Sequence, residues 1–190
     1  MQVREINLPI QYVIELPSQR SVIVTDVVET IKAATRNGHK IISAAQTIEN
    51  EIEQVVAHYF FPEDKDKAKL FRGMILSTDW CTFRAKKRLL LQIINEHAYL
   101  NGKEKDNLER DLGTATRYRN AFTHGIVTGD DTYLVLQYYE AGPKEKKLDD
   151  ALWEEMELLF LRLFKTMENV SLSTGLVKSV NYHAPAGPDS

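Results

Sequence analysis

The stretch of this sequence whose residue types could do chemistry is RNAFTHG, residues 119 to 125. It places Arg119, Asn120 and His124 within two turns at the end of a segment that is patterned as an amphipathic helix. The planar fork of arginine matches phosphate oxygens, and histidine can donate or accept a proton near neutral pH. The stretch is therefore either a polar helix end or a site that acts on a phosphate-containing ligand.

Arg119 is the unusual member of this group because it falls on an apolar stripe. The stripe is formed by Leu108, Leu112, Ala115 and Phe122. Arg119 lies in the same direction, since each helical residue turns about 100°, and arginine is almost never fully buried without a partner. We therefore expect Arg119 either to pair with a carboxylate, such as Asp79 or a glutamate on the preceding helix, or to lie in a gap in the packing, such as a cleft or a seam between subunits.

The spacing of Arg119 and His124 limits how they can act together. Asn120 and His124 are four residues apart and share one face, whereas Arg119 and His124 point about 140° apart on a straight helix. They could reach one ligand through the length of the arginine, a loosened last turn, or a second copy of the chain. Gly125 favours the loosened turn, because glycine after a helix permits the left-handed closing conformation. The plainer alternative for His124 is a cation favoured by the helix dipole.

A second group of cations lies on the preceding helix. Lys87 falls on the apolar stripe between Phe83 and Leu90. Together with its neighbours and the arginines of the next helix, it could form a positive strip suited to phosphates. The members of this predicted basic strip are Arg84, Lys86, Lys87, Arg88, Arg110, Arg117 and Arg119. The alternative is a solvated face without a ligand.

Length and composition indicate an ordinary globular protein. The 190 residues suit one domain, and the net charge of −3 gives no overall attraction to nucleic acid, so any such binding needs a local patch. Cys81 is the one cysteine of the sequence, which excludes an intrachain disulfide and favours a reducing compartment. No apolar run is long enough to span a membrane, and charges and prolines interrupt the N-terminal apolar stretches, so we predict a cytoplasmic protein.

The sequence predicts neither a metal site nor a bound cofactor. His39, His58, His97 and His183 have no metal-ligand spacing with Cys81 or with carboxylates. There is no phosphate-binding glycine loop and no nucleophile elbow. Cys81 has no histidine partner in the pattern and is expected to be a small buried residue.

Apolar periodicity predicts a mainly α protein with four long helices. The first three span about 39–61, 67–96 and 103–124. The last helix begins at a cap formed by Asp149 or Asp150 and continues to about 170. The stripe of the second helix is Leu76, Trp80, Phe83, Leu90 and Ile94. Residues 126–139 alternate with the period of a strand and predict a β-hairpin that turns at 129–131, followed by AGPKEKK as a loop. The simplest architecture is an antiparallel helical bundle with a small β-hairpin inserted before the last long helix.

The predicted bundle occupies residues 38–170. Residues 1–37 are expected to form an N-terminal extension, with short strands at 11–16 and 21–25 and a short helix that begins at Asp26 and stops at Asn37-Gly38. Residues 171–190 are rich in serine, glycine and proline and are expected to form a disordered tail.

The pattern of RNAFTHG resembles the R-x4–6-H signature of the HEPN superfamily. Four residues separate Arg119 from His124, and a polar residue follows the arginine, as is frequent in that family. HEPN domains are helical bundles whose motif lies toward the end of the third core helix, before a connector and another helix, and this chain is similar from about 38 to 170. TFRAKKRLLLQII on the second helix also resembles the aromatic–lysine–leucine run common in HEPN proteins.

The resemblance implies a metal-independent endoribonuclease, usually a homodimer whose two motifs face one cleft. Carried onto this sequence, Arg119 and His124 are the catalytic residues and Asn120 supports them. The RNA is cleaved by attack of its own 2′-hydroxyl, with His124 as acid and base and Arg119 stabilising the phosphate. The family also implies a toxin–antitoxin or phage-defence setting and a protein antitoxin or regulator as a partner.

The sequence departs from parts of the family, and other functions stay open. Some HEPN toxins carry a tyrosine that is modified by a partner enzyme where this chain has Ile126, so we do not expect that form of neutralisation. The main alternative is a non-catalytic HEPN-like dimerisation module or RNA- or protein-binding module, in which Arg119 and His124 are structural. A weaker alternative is an adaptor that uses the hairpin as a protein-binding edge.

Overall fold

The computed structural model of the protein describes residues 4–6, 8, 26–129 and 133–176. The helices of this part are α1 (Asp26–Phe60), α2 (Lys65–Phe71), α3 (Phe83–His97), α4 (Gly102–His124) and α5 (Asp150–Ser173). A π-helical turn, Arg72–Leu76, continues α2. The strands are β1 (Ile126–Gly129), β2 (Leu134–Tyr139) and β3 (Pro143–Lys147). The mainly helical character and the small β element before the last helix are therefore confirmed.

α1 is one continuous helix and passes through Asn37-Gly38, where the sequence predicted a break. Asn37 is fully buried: its Oδ1 accepts from the backbone N–H of Ile6 at 3.2 Å, and its Nδ2 donates to the carbonyl oxygen of Arg4 at 2.8 Å. A Cβ on Gly38 would lie 2.6 Å from Cδ1 of Phe122. The pair serves packing rather than a turn, so the predicted helix end is wrong. The predicted strands at 11–16 and 21–25 lie outside the described residues.

The predicted second helix is interrupted. Residues 77–82 separate the π-helical turn from α3, and the hydroxyl of Thr82 caps α3 by accepting from the backbone N–H of Ala85 at 3.3 Å. Trp80 lies in this connector and is 68% exposed, so its predicted place in the core is wrong. Leu90 and Ile94 are buried as expected.

One hydrophobic core holds the helices and the sheet together. Its largest fully buried side chains include Ile41, Ile48, Ile52, Leu90, Ile94, Leu112, Leu134, Leu136, Trp153 and Phe160. Burying one such side chain contributes about 1.5–3 kcal/mol. α4 is fixed near its C-terminus by the stacked rings of Phe122 and Trp153, with centroids 6.1 Å apart. α5 begins at the predicted cap, where Asp149 accepts from the backbone N–H of Leu152 at 3.1 Å. It continues to Ser173, and residues beyond 176 lie outside the described part.

The β element is a three-stranded antiparallel sheet in the order β1-β2-β3. β1 and β2 form the predicted hairpin, in which Ile126 pairs with Gln137 and Gly129 with Leu134. The segment of β3 was predicted to be a loop. It instead pairs with β2, from Val135 with Lys147 to Tyr139 with Pro143. A proline at the start of the strand and several lysines are typical of an exposed edge strand, which lacks apolar alternation. None of the helices in the described residues has the length and hydropathy needed to cross a lipid bilayer.

Candidate functional site

α4 carries the RNAFTHG residues and stays regular up to His124. Gly125 follows in an extended conformation, with φ −94° and ψ 171°, so the expected left-handed closing turn is wrong. A Cβ at this position would lie 2.3 Å from the carbonyl oxygen of Ala121 and 2.8 Å from that of Gln137. Glycine is needed because the end of β2 packs directly against the end of the helix.

Arg119 lines a narrow cleft of about 10 Å³ between α1, α3 and α4, which also touches Glu49, Phe83 and Thr116 and is here named the Arg119 cleft. The arginine is half-buried. Its Nη1 donates to Oδ1 of Asn120 at 3.2 Å. Within the described residues no carboxylate oxygen lies within 4.0 Å of its guanidinium nitrogens, so the predicted ion pair with Asp79 or a glutamate is not formed there. The structure shows the other expected environment, a gap in the packing.

Asn120 and His124 are both exposed near the C-terminal end of α4. The imidazole of His124 has no hydrogen-bond partner among the residues that the structure describes. Because the helix stays regular, Arg119 and His124 point about 140° apart. Two of the three predicted routes to a shared ligand are left, the length of the arginine and a second copy of the chain.

The buried cation of α3 is Lys86 and not Lys87, which the stripe had predicted. The Lys86 side chain is 6% exposed, and its Nζ lies 2.5 Å from Oε1 of Glu49 and 2.7 Å from Oε1 of Glu53. Burial alone would lower the pKa of Lys86, but the two carboxylates outweigh it and raise that pKa. Lys86 therefore faces the interior, and its prediction as an RNA-binding residue is wrong. The error arises because the predicted stripe left out Ile93, which is buried with Leu90 and Ile94 and turns the buried face toward Lys86.

Glu53 links this buried cation to the interrupted helix. Its carboxylate also accepts from Nε of Arg72 at 3.2 Å and from the hydroxyl of Ser77 at 2.7 Å. Burial would raise the pKa of Glu53, but the hydrogen bonds from Lys86, Ser77 and Arg72 outweigh it and lower that pKa. The sequence analysis missed this network. The signal that could have found it is the pair of glutamates at 49 and 53, four residues apart beside the apolar stripe of α1.

The remaining members of the predicted basic strip divide between two faces. Arg84, Lys87 and Arg88 line a groove of about 800 Å³ between α3 and α4, here named the α3–α4 groove. Arg110 and Arg117, seven residues apart, share another face of α4. Nε of Arg110 lies 3.6 Å from a carboxylate oxygen of Asp111, whose other oxygen accepts from Arg162 of α5. The guanidinium of Arg117 lies over the adjacent ring of Tyr118, 6.0 Å from its centroid. The strip is therefore not continuous.

Metal-ligating side chains do not gather in the described part of the chain. No group of three or more histidine, cysteine, aspartate or glutamate side chains there could hold a metal ion. Cys81 is buried, as expected. No protein-family model matches the sequence, and neither the curated proteins nor the solved structures give a match. The resemblance to the HEPN superfamily thus rests on RNAFTHG and on the order of the elements.

Proposed function

We propose that the protein is a metal-independent endoribonuclease of the HEPN type that acts at Arg119, Asn120 and His124. The observation that carries the proposal is the half-buried side chain of Arg119, whose guanidinium has no carboxylate within 4.0 Å among the described residues and bonds to Asn120 at 3.2 Å. A guanidinium without an ion-pair partner is available to bind an anion. The phosphate of an RNA backbone would supply that anion, and the fork of arginine can bind two of its oxygens.

The reaction is a transfer of the phosphoryl group within the RNA. The 2′-oxygen of one nucleotide attacks the adjacent phosphorus as its proton passes to His124. The bond from phosphorus to the 5′-oxygen breaks, and that oxygen takes a proton from the His124 imidazolium formed in the attack. The products are a 2′,3′-cyclic phosphate and a 5′-hydroxyl. Arg119 stabilises the negative charge that gathers on the phosphate oxygens in the transition state, and Asn120 holds the guanidinium in place.

A homodimer brings Arg119 and His124 together at one phosphate. The two side chains diverge by about 140° on one regular helix, so a site built across two copies can use Arg119 of one chain and His124 of the other. A mixture of Arg119→Ala and His124→Ala proteins tests this arrangement. It should recover about a quarter of wild-type activity, since half of a random mixture is heterodimer with one intact site of two. A site built within one chain recovers none.

The direct test is cleavage of total and synthetic RNA by the purified protein in EDTA. We expect products with 2′,3′-cyclic phosphate ends. The rate should fall about 10²–10⁴-fold for His124→Ala, the usual share of acid–base catalysis, and about 10²–10³-fold for Arg119→Ala, the usual share of one electrostatic donor. His97→Ala is the matched control, because His97 lies in the last turn of α3 as His124 lies in the last turn of α4. A folded wild type that cleaves nothing in a broad RNA panel refutes the proposal, as does full activity of His124→Ala.

The second candidate function is RNA binding without cleavage. It is favoured by the α3–α4 groove, which presents Arg84 and Arg88 to solvent without a carboxylate within 4.0 Å in the described part of the chain. In that case Arg119→Ala and His124→Ala would change stability or dimerisation and leave RNA affinity unchanged.

A further inference from the structure

We propose that the α3–α4 groove binds a single strand of RNA that continues from the phosphate held at Arg119. The inference depends on the proposed function for the identity of the strand as substrate. The groove is the seam between two antiparallel helices, as two contacts across it show. Nζ of Lys105 donates to Oδ1 of Asn95 at 3.0 Å, and Nζ of Lys87 lies 3.6 Å from Oε1 of Glu109.

One wall of the groove is a line of uncompensated polar side chains. Arg84, Arg88 and Gln92 follow one another at a spacing of four residues, and all three are exposed. Neither arginine has a carboxylate oxygen within 4.0 Å in the described part of the chain. Like charges four residues apart on a helix cost about 0.2–0.5 kcal/mol. The pair therefore does not stabilise the fold, whereas successive phosphates of a bound strand would neutralise both charges.

The Arg119 cleft and the groove share no lining residue, but consecutive residues of α3 line the two. Phe83 lines that cleft, and the next residue, Arg84, opens the groove. From Arg84 to Asn95 the helix rises by roughly 17 Å, at 1.5 Å per residue. At about 3.4 Å between the phosphates of a stacked strand, this length accommodates about five of them. A strand whose scissile phosphate lies at Arg119 would thus continue along α3.

The groove fits an unpaired strand better than a duplex. Its free cations lie along one wall, which matches one phosphate backbone. Leu91, Gln92 and Asn95 add an apolar contact and amide groups that can bind the edges of unpaired bases. Two acids also line it: Glu109 is paired with Lys87, and Glu96 lies at the far end, where it limits the phosphate track.

The salt dependence of binding tests the groove independently of cleavage. The probe is a fluorescent 2′-O-methyl oligonucleotide, whose blocked 2′-oxygen cannot attack. For a single strand, log K falls with log[salt] by about 0.7 for each phosphate contact. Arg84→Gln/Arg88→Gln should therefore lower the slope by about 1.4 and weaken binding about 25-fold at 0.1 M salt. The control is Lys165→Gln, which removes an exposed cation on α5 and should change neither quantity. A duplex of the same sequence should bind the wild type more weakly than the single strand.

The outcomes separate this inference from the ribonuclease proposal. An unchanged slope in the folded double variant, no binding by the wild type, or a preference for duplex overturns the groove, whatever the cleavage assay gives. Binding through the groove without cleavage of a matched RNA keeps the groove and refutes the nuclease. If both hold, the double variant should raise KM for RNA by about the same 25-fold and leave kcat within about twofold. A fall in kcat with KM unchanged would place the two arginines elsewhere in the reaction and also overturn the groove.

Discussion

Removal of the Lys86 ammonium should be among the most destabilising single changes in this protein. Lys86→Met keeps a flexible apolar chain of similar length but leaves Glu49 and Glu53 buried without their common cation. In the wild type that cation lies 2.5 and 2.7 Å from their oxygens. Glu53 would retain Arg72 and Ser77, at 3.2 and 2.7 Å. Glu49 would lose its ion-pair partner and repel Glu53, one helical turn away.

The magnitude follows from the burial of this cluster. The side chains of Lys86, Glu49 and Glu53 are 6%, 13% and 3% exposed. Removing one partner of a buried ion pair costs about 3–5 kcal/mol. For a protein of this size that corresponds to a fall in Tm of about 6–20 °C. The matched control is Lys87→Met, since Lys87 is the adjacent residue, is 23% exposed and lies 3.6 Å from an exposed glutamate, so its loss should cost less than about 1 kcal/mol.

The assay is urea unfolding followed by circular dichroism, for wild type, Lys86→Met and Lys87→Met at neutral pH. If the free energy of unfolding depends equally steeply on urea concentration in all three proteins and only the midpoints shift, the substitutions change stability alone. The deficit of Lys86→Met should shrink as the pH falls, because its two unpaired carboxylates can then become neutral. If the free energies of unfolding of the two variants differ by less than about 1 kcal/mol, the buried network is refuted. A larger loss of stability in Lys87→Met would make Lys87 the buried cation, as the sequence alone had predicted.

Three further changes test the packing around the site. In the wild type the pKa of Glu53 is lowered on folding and that of Lys86 is raised. The contribution of Glu53 to stability should therefore be lost as the pH falls below about 4.5, and that of Lys86 as the pH rises above about 10.5. Tm should decline at both ends of a pH series. Gly125→Ala should cost about 1–3 kcal/mol in denaturant unfolding, because its Cβ would lie 2.3 Å from a backbone oxygen; an unchanged midpoint would contradict the close approach of β2. Asp149→Ala should cost about 0.5–2 kcal/mol, and Asp149→Asn much less, in the same experiment.

Hydrophobic periodicity was enough to place the long helices. Local sequence signals gave wrong predictions where contacts with residues distant in the sequence determine the structure. Asn37-Gly38 looks like a helix stop because asparagine and glycine favour turns. Here the asparagine bonds to backbone groups of residues 4 and 6, more than thirty positions away, and the glycine makes room for Phe122. Neither contact can be read from the neighbouring sequence. β3 was missed for a related reason, since an edge strand that faces water on both sides has no apolar pattern to detect.

The basic residues show how an incomplete stripe changes a functional prediction. A stripe drawn through Phe83, Leu90 and Ile94 puts Lys87 on the buried side, and one residue corresponds to about 100°. Because Ile93 is also buried, Lys86 is the buried cation and Lys87 lines the groove. The residue types were sufficient to find Arg119 and to predict either an ion pair or a gap in the packing around it. They could not show that no carboxylate of the described residues approaches it, because that depends on the position of α1.

The close contact of β2 with the end of α4 has a consequence for how the site can work. The extended Gly125 packs closely against the backbone of Gln137, and α4 stays helical up to His124, so Arg119 and His124 keep the directions of a regular helix. A single chain can bring the two groups to one phosphate only by extending the arginine around the helix, which would take its guanidinium away from Asn120. A second copy can bring its own His124 to the Arg119 cleft without disturbing that bond. The sheet, which contributes none of the candidate catalytic groups, therefore favours a site built across two chains.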